Sequence, residues 1–281
     1  MQVALETAFL TSGLPEEVRL PTAEAMARAV VERGADPAFI GVIAGEPVVG
    51  IDAAGLSRLA GAGGKASTRD LPVVAARGED AGTTVAATLF IASRAGIEVA
   101  ATGGIGGVHP GPGPIDESAD LLELARTPMT LVCSGAKAIL DLPATLERLE
   151  TLGVTVLGYG TREFPAFWTA ASGLALSRQV EGAEEAAAVA RSARALALPG
   201  AVLVCVPPPP DLALDAAEGE RAIARALTAA EDEGVGGAAL TPFLLSRVAE
   251  LTEGRSLAAN RALLQRNAGV AAEIALAVTG S

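Results

Sequence analysis

The sequence predicts an α/β fold in three layers, with helices on both faces of a largely parallel or mixed central sheet. Three observations carry that prediction. Strand-like and helix-like periodicities alternate along the chain, as they do where helices are layered on one sheet. The strand-like stretches are continuous apolar runs, the pattern expected where both sheet faces are covered. Half of the 281 residues are hydrophobic, enough to bury a large core in one domain spanning 1–281.

The elements follow in order. Residues 3–10 (VALETAFL) read as an apolar strand carrying Glu6. Residues 21–34 set apolar positions at helical spacing between a cap at Thr22 and a stop at Gly34. Residues 37–50 read as two short strands turning at Ala44-Gly45. Residues 71–78 and 83–96 are short helices, each ended by glycine. A buried strand at 98–104 runs into the glycine-rich stretch 105–114, and Ser118 caps the helix that follows. Residues 130–135, 154–160 and 201–210 are strands, the last ended by four prolines, and 141–153 and 182–196 are helices. The last 60 or so residues are helical, with caps near Thr241 and Ser256.

Composition excludes several function classes. Acidic residues outnumber basic ones 33 to 21, and a net charge of −12 argues against nucleic acid or an anionic membrane as partner. A small phosphate ester needs only a local cradle and stays open. Aromatics at 3% leave no platform for base stacking. Apolar runs stay below 18 residues and the first ten residues lack a basic region, so neither a membrane span nor a secretory signal is expected and the protein reads as cytoplasmic. Cys133 and Cys205 both lie in strand-like runs, which excludes a disulfide framework.

The bases are unevenly divided: two are lysines, Lys65 and Lys137, the rest arginines, and His109 is the chain's single histidine. Arginine serves a surface as well as lysine does, but a guanidinium forms no imine with a carbonyl. Two lysines in an arginine background are either leftovers or chemistry. Lys137 follows the strand 130–135 at the carboxyl end, where open α/β sheets bind ligands. Desolvation there lowers an ammonium pKa and leaves a nucleophilic amine. Glu6, in its apolar run, is expected to hold its proton and act as a general acid. The bland alternatives are a snorkelling lysine and an edge-strand glutamate.

The turn TGGIGGVH at 102–109 follows a strand but fits no nucleotide motif. His109 stands where a dinucleotide loop needs glycine, and the terminal Gly-Lys-Ser/Thr of a P-loop is missing. An anion nest of consecutive backbone N–H groups, or a ligand-free tight turn, remains. Downstream, Asp116, Glu117 and Asp120 cluster at a helix start. They serve either as caps complementing the helix dipole or as oxygen ligands for a hard divalent cation.

Taken together, these blocks resemble the pseudouridine-5′-phosphate glycosidase, or indigoidine-synthase-A-like, family, which includes C-ribosylating relatives. The resemblance runs through Ala4-Leu5-Glu6, the block from Lys65 to Pro72, Gly82-Thr83-Thr84-Val85, ATGGIGGVH at 101–109, Asp116 and Ser118-Ala119-Asp120. It continues through 125–128, CSGAKAILD at 133–141, YGTREFPAF at 159–167, 241–245 and GRSLAAN at 254–260. The resemblance implies Glu6 as proton donor, Lys137 as imine-forming nucleophile and Asp116 as manganese ligand. It places Lys65, the backbone around Val85, and Ser118, Ala119 and Asp120 at substrate contacts, with Thr102, His109 and Asn260 lining the pocket. It further implies a homotrimer acting on ribose 5-phosphate or a C-nucleoside phosphate.

The sequence also departs from the family. After His109 it reads Pro-Gly-Pro in place of Arg-Gly; Thr7-Ala8 replaces Ser-Thr; Ser12 stands for a histidine, and Val206 for an asparagine. A pocket that hydrogen-bonds uracil should not shed polar partners without cost. Two reactions therefore stay open: cleavage of pseudouridine 5′-phosphate, or joining of ribose 5-phosphate to an aromatic acceptor. A non-catalytic sugar-phosphate-binding protein is the third reading.

Overall fold

Val3, Ala4 and Leu5 are buried to the last atom, and they make β1 (Gln2–Leu5) a central strand of the sheet. The computed structural model describes residues 1–111, 116–236 and 240–280. β1 pairs in parallel with β2 (Asp36–Ile43) on one side and β6 (Val99–Ala101) on the other. Beyond β6 the parallel order continues through β7 (Thr130–Cys133), β10 (Val202–Cys205), β8 (Thr155–Tyr159) and β9 (Gln179–Val180). On the far side β2 pairs antiparallel with both β3 (Glu46–Val49) and β5 (Ala81–Thr83), and β5 carries β4 (Lys65–Ala66) in parallel. The sheet is thus mixed, parallel except where β2 meets β3 and β5. Every residue of β6, β7 and β10 is buried, as the apolar runs required of strands covered on both faces.

The covering helices form two sets. In one, α11 (Arg255–Thr279) lies between α2 (Glu16–Val31) and α8 (Ala183–Ala195) and packs on β1, β6 and β7. In the other, α5 (Val85–Arg94), α6 (Ala119–Arg126) and α7 (Leu142–Thr151) pack in sequence order. The small helices α1 (Ala8–Thr11), α3 (Ala53–Gly61) and α4 (Leu71–Arg77) surround the β2–β5 end, and α9 (Ala216–Asp232) packs on α10 (Leu240–Leu251). The Ala44-Gly45 turn carries positive φ at both residues, as a two-residue hairpin demands. Ser118, Thr84 and Asp141 cap α6, α5 and α7. Among the described residues no helix is long and apolar enough to cross a membrane, and both cysteines are buried free thiols.

Four expectations are corrected. α2 begins at Glu16 behind Pro15, not at Thr22; Pro21 lies inside it, and Thr22 donates its hydroxyl back to the Val18 carbonyl at 2.6 Å. Glu16 and Glu17 in the first turn complement the helix dipole and favour the earlier start. The strand read over 3–10 stops at Leu5, because the Thr7 hydroxyl turns inward to the Ile40 carbonyl and accepts from Thr83 N at 3.0 Å. Thr241 is inside α10, and residues 237–239 before it lie outside the described residues. Gly254, with φ of +81°, precedes α11, so Ser256 is already in the first turn.

Candidate active site

The chain runs from β1 outward to β2 and returns through β6 on the opposite side of β1. That reversal leaves a crevice at the carboxyl ends of β1 and β6, the place where open α/β sheets bind ligands. Register puts Leu5, Ala101 and Val132 level across the three strands. The residues after them therefore emerge side by side: Glu6 after β1, Thr102 after β6, and Ser134 near the end of β7. Glu6 N donates to Ala101 O at 3.3 Å, and the Thr102 hydroxyl donates to the Glu6 carboxyl.

Glu6 is buried, and burial raises its pKa above the ordinary carboxyl value. The charge of Lys137 and the Thr102 hydrogen bond oppose that rise, Asp120 adds to it, and Lys65 opposes it weakly. Two ammoniums thus lie within electrostatic reach of one carboxyl. Lys65, at the start of β4, is exposed as a residue, yet loss of solvent around its ammonium lowers its pKa, and the Lys137 charge adds to the effect.

Lys137 is held by backbone pairing between two loops. Ser134 N donates to Gly103 O at 2.8 Å, Ile105 N to Gly135 O at 3.0 Å, and Lys137 N to Ile105 O at 3.1 Å. The glycine-rich turn is in this way a continuation of the sheet beyond β6 and β7. Several of its N–H groups are engaged within the protein: Gly106 N donates to Asp120 at 2.8 Å, Val108 N to the Thr145 hydroxyl at 3.0 Å, and His109 N to Asp116 O at 2.9 Å. The glycines are required by proximity, since a Cβ on Gly106 would lie 2.3 Å from the Ser118 hydroxyl, and one on Gly135 2.0 Å from Pro165 O.

The carboxylate cluster divides by role. Asp120 is buried and accepts from Ala86 N at 2.9 Å and Gly106 N at 2.8 Å, tying the first turn of α5, next to Val85, to the glycine turn. Glu117 lies 2.8 Å from Arg148. Asp116 is exposed and lies 3.4 Å from the His109 ring. Ser118 and Ala119 open α6, Ser118 accepting from Asp120 N. Asp120→Asn replaces one acceptor by a donor facing a backbone N–H, so it is expected to cost roughly 1.5–3 kcal/mol of stability, read as a lower urea midpoint. It should also shift any pH profile governed by Glu6 to lower pH, because one of the charges raising that pKa disappears.

Asn260 lines a cavity of about 520 Å³ bounded by the end of α1, α10, α11 and Trp168. Two further residues escaped the sequence reading. Asn267, fully buried on α11, donates to Thr102 O at 2.9 Å and to the Ser134 hydroxyl at 3.1 Å, bracing both loops. A signal existed: Asn260 and Asn267 are seven apart, hence on one face of a helix that is apolar there. Trp168 lies beside Phe167, whose φ of +60° is costly for a bulky residue, and Phe167 N donates to Ser134 O at 3.0 Å.

The family model for indigoidine synthase A like protein matches residues 2–277. The chain belongs to the indigoidine synthase A-like family. Among family members, a Chloroflexus aurantiacus protein named pseudouridine-5′-phosphate glycosidase is 51% identical over 284 residues, covering 99% of this chain and 93% of its own. A Thermotoga maritima indigoidine synthase A-like protein superposes with a TM-score of 0.91 at 38% identity, covering 98% of this chain and 91% of that one. The prealnumycin C-glycosynthase AlnA, solved with ribulose 5-phosphate, gives a TM-score of 0.89 at 40% identity, covering 99% and 91%. The three-layer mixed α/β architecture is thus that of the family.

Proposed function

We propose that this chain cleaves the carbon–carbon glycosidic bond of pseudouridine 5′-phosphate, releasing uracil and ribose 5-phosphate. The observation that carries the reading is the convergence of Glu6, Thr102, Lys65 and Lys137 at the sheet's switch point, with Glu6 buried and biased toward its protonated form. Relatives about 50% identical over the whole chain carry the matching name.

The chemistry needs these groups. Two carboxylates suffice for an oxygen-linked glycoside, because a protonated oxygen leaves readily. A carbon leaving group does not. Glu6 gives its proton to the ring oxygen as the furanose opens, and the Lys137 amine adds at C1′. When C5 of the base is protonated, the C1′–C5 bond breaks with its electron pair going to uracil, and C1′ remains as a lysine imine of ribose 5-phosphate. Water then hydrolyses the imine and restores the amine, each stage being easier than direct cleavage. Lys65, Ser118, Ala119 and the backbone around Val85 would hold the phosphate side of the sugar, while Thr102 keeps Glu6 in place.

Manganese is part of the proposal. A hard divalent ion takes oxygen ligands and tolerates a shell completed by water and substrate phosphate. Asp116 fits as the protein ligand, being exposed and engaged only with His109 among the described residues, whereas Glu117 and Asp120 are committed elsewhere. When bound, the ion would offset phosphate charge on this acidic protein. Uracil release should fall in excess chelator and return with Mn²⁺, and ribose 5-phosphate affinity measured by calorimetry should fall in parallel. Full activity in chelator overturns the metal role. A homotrimer, also proposed, is checked by sedimentation.

The apolar exchanges at Ala8 and Val206 and the 520 Å³ cavity favour a second reading, joining of ribose 5-phosphate to an aromatic acceptor. Purified protein given pseudouridine 5′-phosphate discriminates the two. Efficient uracil release supports the glycosidase; borohydride trapping of ribose 5-phosphate without uracil release supports the synthase; binding of ribose 5-phosphate with neither trapping nor release leaves the non-catalytic sugar-phosphate-binding protein.

A further inference from the structure

Asn267 is fully buried on α11, on a stretch where Leu263, Leu264, Ala268 and Ala271 are buried too. A primary amide in such a setting is costly unless it is well bonded, and leucine has the same branching without that demand. The hydrogen bonds of Asn267 lead to the crevice. Its Nδ2 donates to Thr102 O at 2.9 Å, to Gly103 O at 3.3 Å and to the Ser134 hydroxyl at 3.1 Å. The Ser134 hydroxyl also lies 3.3 Å from Oδ1. Thr102 is the residue whose hydroxyl donates to the Glu6 carboxyl, and Ser134 opens the 134–137 loop that carries Lys137. Only an N–H donor can face two carbonyl oxygens, so the amide's orientation is fixed.

We propose that Asn267 is a positioning residue for both the acid and the amine: by holding the Thr102 peptide it aims the Thr102 hydroxyl at the Glu6 carboxyl, and by holding Ser134 it sets the loop that presents Lys137. The proposal rests on the C-glycosidic reading and deepens it, naming what keeps proton donor and nucleophile in register from the covering helix. Lys137, Lys65 and Asp120 act on the Glu6 carboxyl by charge, and Thr102 acts by its hydrogen bond, which favours the ionised form. Burial favours the protonated form. Releasing Thr102 leaves burial less opposed, so the Glu6 pKa should rise further.

Asn267→Leu keeps the branched shape and removes these bonds. It should lower kcat for uracil release roughly three- to tenfold, the scale of one hydrogen bond. KM should stay nearly unchanged, because a fully buried amide meets no substrate. The activity limb governed by Glu6 should move to higher pH, which a merely structural contact would leave in place. In a Thr102→Val background the same substitution should no longer move that limb, because the hydroxyl it acts through is gone. Asn267→Ser, too short to bridge the two loops, gives the same test should leucine prevent folding. Glu6 is also read without turnover, from the pH at which urea stability falls relative to Glu6→Gln. A raised folded pKa means stability is lost as pH climbs through it, so in Asn267→Leu the loss should extend to higher pH. Limb and stability profile unmoved in the Asn267 variants, or a shift that persists with Thr102→Val, overturns the assignment. Absence of uracil release by the native protein would instead remove the glycosidase reading, and the stability profile would still decide the role of Asn267. The two failures are therefore distinguishable.

Discussion

Replacing Lys137 by arginine is expected to abolish turnover together with borohydride-dependent attachment of ribose 5-phosphate. The open-chain sugar presents an aldehyde, and only an amine forms an imine with it. Arginine keeps the positive charge and much of the length, so the electrostatic support that Lys137 lends to the crevice largely survives while covalent chemistry is lost. Removing a covalent nucleophile acts on the order of 10⁴-fold or more in kcat. Peptide mapping of reduced native protein should place the sugar phosphate on Lys137. With Lys65 the sole competing side-chain amine, the result is close to binary. Lys65→Arg should weaken sugar-phosphate binding and still permit trapping at high sugar concentration. Normal turnover by Lys137→Arg would sink the covalent mechanism.

The second large effect is at Glu6. Glu6→Gln keeps the shape and can still accept from Thr102, but it has no transferable proton. A loss of about 10²–10⁴-fold in kcat is expected, the usual weight of a positioned acid. The pH dependence follows from the raised pKa. Native activity should fall as pH rises through the Glu6 value, above the ordinary carboxyl range, because the working form is protonated; that limb should vanish in the variant. Stability has the same sign. A carboxyl whose folded pKa is raised binds its proton more tightly when folded, so the native protein loses stability as pH climbs from the ordinary carboxyl value through the elevated one, and Glu6→Gln should be insensitive there. A native profile without that limb, or a variant that retains it, would assign the proton to another group.

Much of this was written in the linear sequence. The alternating apolar runs, the Ala44-Gly45 turn, and the Ser118 and Asp141 ends of helices were legible because period, turn chemistry and capping are local properties. The two lysines stand out in the sequence too, since arginine cannot do lysine's covalent work, and the structure places both within electrostatic reach of Glu6. Element starts were read less well. The α2 start was lost because Pro21 and Thr22 imitate a helix beginning, and the end of β1 because Thr7 is drawn inward by Ile40, a partner 33 residues away.

The sequence by itself determined the fold class, the family and the residue types able to form an imine, give up a proton and hold a hard cation, for each follows from composition, periodicity or an unbroken local motif. Only the tertiary structure decided what those residues do to one another. It separated three neighbouring acids into a backbone clamp at Asp120, an ion-pair partner at Glu117 and an exposed carboxyl at Asp116. It joined the glycine turn to the 134–137 loop by backbone pairing, and it brought Glu6 and Lys137 into electrostatic reach although 131 positions divide them. The reason is physical: strand register and burial are set by contacts between distant segments, and a pKa depends on what those contacts leave around it.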